Sequence, residues 1–462
     1  MRKIPRIVIS GSYSGVGKTT VATGLMGAFR NRKMKVQGFK VGPDYIDTSY
    51  HTMITNRYAR NLDTWMVPYE GILELFVRAF QDADIAIIEG AMGLYDGASG
   101  VDETGSTAEM ARILNAPVIL VIDASDMARS AGALVLGYQK FDPNLRLAGV
   151  IANGLGSTTH AKWVKDAIET HTNIPVLGTL PIRNKIKMPE RHLGLIPTLE
   201  RGELDSYFST LADFIEENVN LDTISEIAQS APKLPIQKSK IYPKKNKKKK
   251  VRIGIALDEA FNFYYWDNVD MLKAYGAEII FFSPIHNEKL PDVDGIYIGG
   301  GFPEVLAAKL EVNKSIRQKI KKRAEEGMPL YAECGGLMYL TDSVINFSGK
   351  AFQMVGLFPG ITIMTKKLEA MCYTLADVVM HTIIPRKGTK LKGHEFHFST
   401  ITNIPRDASF AYKMKLGKGI NGKYDGWIEY NVLASYMHMH FGYDKKLVQS
   451  FIQSCEQYQR KK

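Results

Sequence analysis

The sequence contains few cysteines, and the three present, Cys334, Cys372 and Cys455, lie far apart. Their spacing argues against a disulfide framework and favours a reducing, cytoplasmic location. No apolar run approaches the roughly 18 residues that a membrane-spanning helix needs. Met1-Arg2-Lys3 leads directly into a strand pattern rather than a signal peptide. We therefore expect a cytoplasmic protein with no membrane partner.

Net positive charge is small outside one segment, although the formal net charge of the 462 residues is +11. Nine Lys and one Arg lie between Ala231 and Arg252, where no acidic residue occurs, so the remainder carries a net charge of only +1. This proline-containing segment has no helical or strand period, which indicates a solvated linker. A surface that binds RNA or membrane is the alternative reading of such a run. We expect no nucleic-acid partner.

The chain is too long for one ordinary hydrophobic core. We predict two domains, residues 1–230 and 251–462, joined by a lysine-rich linker over 231–250. Before the linker, strand-like apolar runs alternate with helical patterns, which is typical of a parallel sheet covered by helices. A second alternating pattern follows the linker. The predicted fold class is α/β in both domains.

The segment GSYSGVGKTT (residues 11–20) follows an apolar strand pattern and precedes a helical one. This context predicts a loop whose backbone N–H groups surround the phosphates of ATP. Lys18 would reach the terminal phosphates and Thr19 would bind Mg²⁺. A strict Walker A sequence has glycine where Ser12 stands, and a flexible loop that merely contains Gly-Lys-Thr is the alternative. The predicted ATP-binding residues of the loop are Ser12, Ser14, Gly15, Val16, Gly17, Lys18, Thr19 and Thr20.

Further polar residues follow the apolar strands, where ligands of parallel sheets collect. Glu89 ends a strand pattern as a Walker B acid does, so it is a candidate Mg²⁺ ligand, with Asp44 as the second candidate. For Asp44 and Asp47 the structural alternative is a turn and a helix cap after Pro43. Asn153 could read the nucleotide base, although an Asn that starts a turn is the commoner explanation.

In the second half, an apolar strand pattern runs into Glu333-Cys334-Gly335-Gly336 and then into a helical pattern. A sharp strand-to-helix turn exposes its central side chain and requires glycine nearby. A helix N-terminus also acidifies a thiol, so Cys334 is a predicted nucleophile, against the alternative of an inert core cysteine.

A cysteine nucleophile needs a base, and His438 and His440 are the candidates; in a strand they would share one face. Metal ligation by this pair and a purely structural role are the alternatives. Gly300 and Gly301 offer backbone N–H groups for an oxyanion. Together these residues indicate acyl transfer through a thioester.

These motifs, in order, resemble the cobyrinate a,c-diamide synthase family. The resemblance covers nearly the whole chain outside the lysine-rich segment, and it rests on GSYSGVGKTT, FKVGPDYID, IIEGAMGLYDG, APVILVID, LPIRNKIKMPERHLGL, IGGGFPE, ECGGLMYL, GHEFHFS and SYMHMHF. Enzymes that act on Ni-sirohydrochlorin in coenzyme F430 synthesis are close relatives of this family.

The resemblance implies a dethiobiotin-synthetase-like ATPase in the first half and a class I glutamine amidotransferase in the second. It implies Cys334 as the glutaminase nucleophile and His438 as its histidine, with His440 as the fallback. Typical class I glutaminases follow this histidine with Pro-Glu, whereas Met439 and His440 stand here. The group that would orient the imidazole is therefore not identified by the sequence.

The implied reaction is amidation of acetate side chains of a tetrapyrrole, with ATP, L-glutamine and the ring as partners. An acyl phosphate would form on the substrate, and ammonia released from glutamine would react with it internally. A homodimer is one possible assembly. The residues expected to recognise or position the substrate are Lys40, Tyr45, Asp47, His51, Asp96, Arg191 and His192.

Two alternative functions compete with the diamide synthase interpretation. A partner-binding switch ATPase is disfavoured because such proteins usually carry an additional lysine early in the loop, where Ser12, Tyr13 and Ser14 stand. A cobyric acid synthase-like enzyme would perform the same chemistry on other side chains of the corrin.

Overall fold

The computed structural model describes residues 3–182, 201–235 and 239–462, without the side chains of 201–204. The chain divides into two compact units, Met1–Lys238 and Ser239–Lys462. Among the described residues, no helix combines the length and the apolar character needed to cross a bilayer.

The strands of the first unit form one sheet whose described neighbours all run parallel, in the order β3-β2-β4-β1-β5-β6-β7. These strands are β1 (Arg6–Gly11), β2 (Val36–Val41), β3 (Arg60–Leu62), β4 (Ile85–Gly93), β5 (Val118–Asp123), β6 (Leu147–Leu155) and β7 (Val176–Pro181). The helices are α1 (Lys18–Asn31), α2 (Ile46–Thr55), α3 (Tyr69–Ala79), α4 (Thr107–Ile113), α5 (Ser130–Phe141), α6 (Thr158–Thr172), α7 (Arg201–Asn218) and α8 (Leu221–Gln229).

Near-continuous apolar runs form the central strands because both faces of the sheet are covered. In β1 and β2 every residue is buried. Helix α1 packs closely on α7: a Cβ added to Gly24 would lie 2.4 Å from Cγ1 of Ile215. The order of the strands places β1 at the centre, between β4 and β5, so the loop after β1 lies where ligands of such sheets bind.

The second unit contains a larger, mixed sheet in the order β21-β16-β15-β18-β19-β20-β11-β10-β8-β9 and a smaller sheet in the order β13-β12-β14-β17. The strands are β8 (Val251–Ala256), β9 (Ala277–Phe282), β10 (Gly295–Ile298), β11 (Leu330–Glu333), β12 (Thr341–Ile345), β13 (Ala351–Gln353), β14 (Phe358–Met364), β15 (Ala370–Val378), β16 (Lys390–His397), β17 (Ser399–Thr402), β18 (Ser409–Leu416), β19 (Tyr424–Glu429), β20 (Val432–Ser435) and β21 (His438–Met439). The helices are α9 (Trp266–Ala274), α10 (Ala307–Val312), α11 (Lys314–Glu325), α12 (Gly335–Leu340) and α13 (Lys445–Gln459).

Strands β8 to β11 and β20 pair in parallel, as the alternating pattern predicts. The antiparallel strands β15, β16, β18 and β19 extend this sheet, and the sequence analysis did not anticipate them. They carry alternating burial rather than continuous apolar runs, as in β16, because one of their faces is less covered. The predicted α/β class is confirmed in both units.

In the parts that the structure describes, the start of the lysine-rich segment packs on the first unit and its end packs on the second. In the first unit, Arg6 donates to the carbonyl of Pro232. In the second, Tyr242 is 3% exposed and the N–H of Lys250 donates to Gly276 O. The backbone near each end is therefore held by packing, although its lysine side chains lie mostly at the surface.

Candidate active sites

The loop between β1 and α1 has the backbone geometry of a phosphate-binding loop. Gly15 and Gly17 adopt φ angles of 92° and 100°, which residues with a Cβ rarely adopt. Lys18 begins α1, and its Nζ lies 3.1 Å from Tyr13 O, across the loop. Burial, together with the nearby Lys40, lowers the pKa of Lys18. An anion bound in the loop would favour the charged ammonium and so oppose this lowering of the pKa.

Glu89, in the middle of β4, is the centre of a buried network beside this loop. Its Oε1 accepts hydrogen bonds from Thr19 Oγ1 at 2.6 Å and from Lys40 Nζ at 2.8 Å. Its Oε2 lies 2.7 Å from Nε2 of His51. Lys40 also pairs with Asp47 Oδ2 at 2.7 Å. Three residues that are distant from Glu89 in sequence therefore hold its carboxylate, and Asp47 holds one of them.

Opposite charges dominate the electrostatics of this network. Burial opposes the charged form of Glu89, but Lys40 and His51 hold the pKa of this carboxyl below its ordinary value. Burial likewise opposes the ammonium of Lys40, yet the carboxylates of Asp47 and Glu89 raise its pKa. Lys40 and Glu89 thus form a charged pair inside the protein.

The other predicted residues of the first unit lie around this network. Asp44 Oδ1 accepts hydrogen bonds from the N–H groups of Ile46 and Asp47, at 2.7 and 3.1 Å, so it caps α2 as the structural alternative proposes. Tyr45 is the residue before that helix and is 9% exposed. Asp96 Oδ2 accepts from the N–H of Gly93 at 2.8 Å.

Three further predicted residues make contacts within the protein. Lys40 and His51 are buried and contact Glu89. Nδ2 of Asn153 donates to the carbonyl of Val16 at 3.1 Å and so contacts the phosphate loop. Arg191 and His192 lie outside the described residues.

Cys334 occupies the predicted sharp turn between β11 and α12. Its backbone has φ 47° and ψ −103°, a strained conformation for a residue with a Cβ. Its N–H donates to Ser435 O at 2.7 Å, which ties the turn to β20. The side chain is 6% exposed, and Sγ lies 3.5 Å from Phe396 O. Backbone strain at a buried thiol is characteristic of a nucleophile held in place for reaction.

The glycines around Cys334 bring three segments together. A Cβ on Gly335 would lie 3.0 Å from the nitrogen of Gly301, and one on Gly336 would lie 2.5 Å from Ile298 O. A Cβ on Gly300 would lie 2.6 Å from Cε1 of His438. The turn, the glycine loop and the imidazole therefore converge because side chains are absent at these positions.

Of the two predicted oxyanion donors, Gly301 is better placed. The N–H of Gly300 donates to Phe263 O at 3.2 Å and so already has an acceptor. The backbone of Gly301 lies against the turn at Cys334, since a Cβ on Gly335 would be 3.0 Å from both its nitrogen and its oxygen. Gly301 has a φ of 152°, which lies in the region that favours glycine.

His438 and His440 have different partners, although the backbone stays extended from β21 through His440. Nδ1 of His438 lies 3.8 Å from Oε2 of the buried Glu333. His440 instead caps the following turn, since its Nδ1 accepts from the N–H of Gly442 at 3.0 Å. Its Nε2 faces Asp267 at 3.8 Å. The geometry favours His438 as the base and gives His440 a structural role.

The expectation that a helix N-terminus acidifies Cys334 is wrong for this structure. Burial raises the pKa of the thiol well above its ordinary value, and the nearby carboxylates of Glu304 and Glu333 add to this effect. The N–H of Gly335 opposes this rise, but it contributes less than burial or Glu304. Formation of a thiolate therefore requires transfer of the proton to a base.

Sequence reasoning missed two buried carboxyls beside Cys334. Glu333 is fully buried and ends an otherwise apolar strand. Glu304 is 4% exposed, follows the glycine loop, and has its pKa raised by burial to about 8. An acidic residue inside an apolar strand pattern was the available signal for Glu333, and the Pro-Glu after the glycines was the signal for Glu304.

Comparisons with known proteins follow the same division of the chain. A family model described as the CobQ/CobB/MinD/ParA nucleotide binding domain matches residues 7–196. A model described as the CobB/CobQ-like glutamine amidotransferase domain matches residues 252–446.

Similar proteins cover nearly the full chain. A protein of Dehalococcoides mccartyi (strain CBDB1) named cobyrinate a,c-diamide synthase is 47% identical over 97% of each chain. Proteins of the same name from Methanosarcina barkeri and Archaeoglobus fulgidus are 44% and 45% identical, over 99% and 98% of this chain and 97% and 98% of their own.

Proposed function

This chain belongs to the cobyrinate a,c-diamide synthase family and is an ATP-dependent ligase that takes nitrogen from glutamine; on that premise we propose that it amidates the a- and c-acetate side chains of cobyrinate. The observation that carries the proposal is the presence of two complete sites in one chain: a phosphate-binding loop beside a buried acidic network, and a cysteine turn beside an imidazole. Neither site alone supplies both an activated carboxylate and ammonia.

We assign the synthetase reaction to residues 1–230 and the glutaminase reaction to 251–462, with 231–250 as the connection. Support comes from the family models, which match within these bounds. A carboxylate is a poor acyl donor, so the first unit would transfer the γ-phosphoryl group of ATP to a substrate acetate, forming an acyl phosphate. Ammonia would then displace phosphate and form the amide.

The residues of the first unit fit a Mg²⁺ ion with ATP. Thr19 Oγ1 and Glu89 Oε1 lie together at the loop, and hydroxyl and carboxylate oxygens are the ligands that Mg²⁺ prefers. Asp44 retains one carboxylate oxygen beyond its cap. Among the described residues no group of three or more His, Cys, Asp or Glu side chains is arranged to hold a metal ion. Bound Mg²⁺ would neutralise phosphate charge.

Lys18 would contact the terminal phosphates, since its Nζ already lies across the loop. Lys40 and His51 would hold Glu89 in position, because their side chains point at its two oxygens. Tyr45, Asp47 and Asp96 lie around the same end of the sheet and are the remaining candidates for positioning the ring substrate.

In the second unit, Cys334 Sγ would attack the side-chain amide carbon of glutamine. His438 would take the thiol proton and return it to the leaving nitrogen, which departs as ammonia and leaves a thioester on Sγ. The N–H of Gly301 would donate to the oxyanion. Water would then release glutamate, and the closed site would keep the ammonia from protonation in bulk solvent.

The proposal is tested by turnover of purified protein with ATP, Mg²⁺ and glutamine. Cobyrinate and Ni-sirohydrochlorin are offered separately, and products are followed by mass spectrometry. We expect two added amides on cobyrinate, with a monoamide intermediate. Amidation of Ni-sirohydrochlorin alone would move the assignment to the nickel branch of tetrapyrrole synthesis, and more than two amides would favour the cobyric acid synthase alternative.

A further inference from the structure

Glu333 lies directly before the nucleophile in sequence and directly behind the histidine in space. Its carboxylate is fully buried, and its Oε2 lies 3.8 Å from Nδ1 of His438. The typical orienting carboxylate of such glutaminases would stand two residues after the histidine, at a position that His440 occupies and uses for capping. The structure thus provides a carboxylate where the sequence around His438 lacks one.

We propose that Glu333 is the positioning residue of the glutaminase site, which holds His438 in one orientation and stabilises its protonated form. This inference rests on the proposed glutaminase roles of Cys334 and His438. Glu333 does not touch the reacting atoms in this scheme and acts only through the imidazole.

The carboxylate is itself rigidly held. Its Oε1 accepts from Tyr331 OH at 2.6 Å and from the N–H of Met439 at 2.9 Å. Its Oε2 accepts from Tyr297 OH at 2.7 Å. All three partners are donors, which is the set that an ionised carboxylate accepts. The bond from Met439 also fixes the backbone next to His438.

The same geometry selects the tautomer of the histidine. A proton on Nδ1 faces Glu333, which leaves Nε2 as the nitrogen that accepts the proton of Cys334. Nε2 also lies on the side of Gly300, where an added Cβ would be 3.4 Å away. A distance of 3.8 Å is a charge contact rather than a hydrogen bond. Such contacts in enzymes without substrate often shorten when substrate binds.

Two other titratable residues near the imidazole, His394 and Glu395, do not take the place of the Glu333 carboxylate. His394 on β16 is the register partner of His438. Burial and the nearby His438 lower the pKa of His394 to about 3, so it is neutral at working pH. Glu395, next to it, accepts from the N–H of Gly419 and lies 3.5 Å from His397. Cys334 is the group that exchanges its proton with His438.

The test compares Glu333→Gln with His438→Asn and with the double variant. Glu333→Gln keeps the shape and removes the charge, so we expect glutamine-dependent kcat to fall by about 100-fold or more, with KM for glutamine within about twofold. Amidation driven by added ammonium chloride should be unchanged.

In the His438→Asn background, Glu333→Gln should lower residual glutaminase activity by less than about twofold, because the two residues act as a unit. Tyr331→Phe is the matched control, since it removes one hydrogen bond from the same carboxylate and keeps the charge; we expect a loss below about fivefold. An equal loss from Glu333→Gln in both backgrounds would overturn the proposal.

The outcomes separate this inference from the proposed function. If His438→Asn leaves glutamine-dependent activity intact, the assignment of His438 as the base fails, and with it the positioning role of Glu333, whereas the glutaminase assignment is tested separately by Cys334→Ser. If His438→Asn abolishes that activity and Glu333→Gln does not reduce it, only the positioning role is wrong. If Glu333→Gln and Glu333→Asp both lose ammonia-dependent activity and thermal stability together, Glu333 is structural and the proposal is overturned.

Discussion

Gly300 lies against His438 so closely that a Cβ added to the glycine would sit 2.6 Å from Cε1 of the imidazole. Gly300→Ala should therefore displace the ring and lower glutamine-dependent amidation by about 100-fold, the effect of a misplacement near 1 Å. Ammonia-dependent amidation measured on the same sample should persist. Gly137 lies in α5 with no atom within 4 Å of an added Cβ, so Gly137→Ala is the control and should leave both rates unchanged.

Cys334→Ser should abolish glutamine-dependent amidation, because a hydroxyl is a far weaker nucleophile than a thiolate. Turnover with ammonium chloride should remain near that of the parent protein, since the phosphate loop lies in the other unit. Amide formation followed by mass spectrometry with each nitrogen source checks both statements. Loss of both activities in a folded variant would contradict the assignment of separate reactions to the two halves.

The two histidines of the SYMHMHF motif should differ in their effects. His438→Asn should lower glutaminase kcat by about 100-fold to 10,000-fold, the contribution of a general base. His440→Asn keeps an acceptor for the N–H of Gly442 and should leave kcat within about tenfold while lowering stability by about 1–3 kcal/mol. Glutamate release and urea unfolding measure the two quantities. A larger loss of kcat in His440→Asn than in His438→Asn would assign catalysis to His440.

Lys40→Met should destabilise the first unit strongly. It leaves Glu89 buried without its ammonium partner, and breaking a buried ion pair costs about 3–5 kcal/mol. Urea unfolding measures the change. Lys162→Met on the exposed face of α6 is the matched control, expected within about 0.5 kcal/mol of the parent. A small effect at Lys40 would show that Glu89 and Asp47 do not depend on this charge.

The raised pKa of Glu304 predicts a pH-dependent effect on stability. Burial raises this pKa from 4.5 to about 8, so the folded state holds a proton that the unfolded state releases between these values. The stability contributed by the neutral carboxyl is complete below pH 4.5 and is lost as pH rises through about 8. Glu304→Gln stays neutral, so relative to the parent it should gain up to a few kcal/mol between pH 5 and pH 8. Urea unfolding at both pH values tests this, and a pH-independent difference would contradict it.

Much of the fold and of both sites could be predicted from local sequence. The apolar runs predict the parallel strands because burial on both faces leaves no alternation. The glycine pattern of residues 11–20 predicts the phosphate loop, since Gly15 and Gly17 supply the positive φ angles that it needs. The small residues around Cys334 predict its turn for the same reason.

The antiparallel half of the larger sheet was harder to predict, because its strands, such as β15 and β16, carry weaker, alternating patterns. The lysine-rich segment also shows the limit of composition as a guide. Its lysines predict a solvated linker, yet the buried Ile241 and Tyr242 anchor part of it to the second unit. Two apolar residues outweigh their charged neighbours because lysine heads can remain in water while the backbone packs.

The amino-acid sequence by itself determined which chemical groups this protein presents: a phosphate loop, a cysteine at a glycine-flanked turn, and the family to which these motifs belong. These follow from local backbone requirements and from residue order. Only the tertiary structure decided which groups meet, such as Lys40, His51 and Thr19 around Glu89, and Glu333 rather than a residue after His438 behind the imidazole. Contacts between distant segments depend on strand order and register, which no short stretch of sequence encodes.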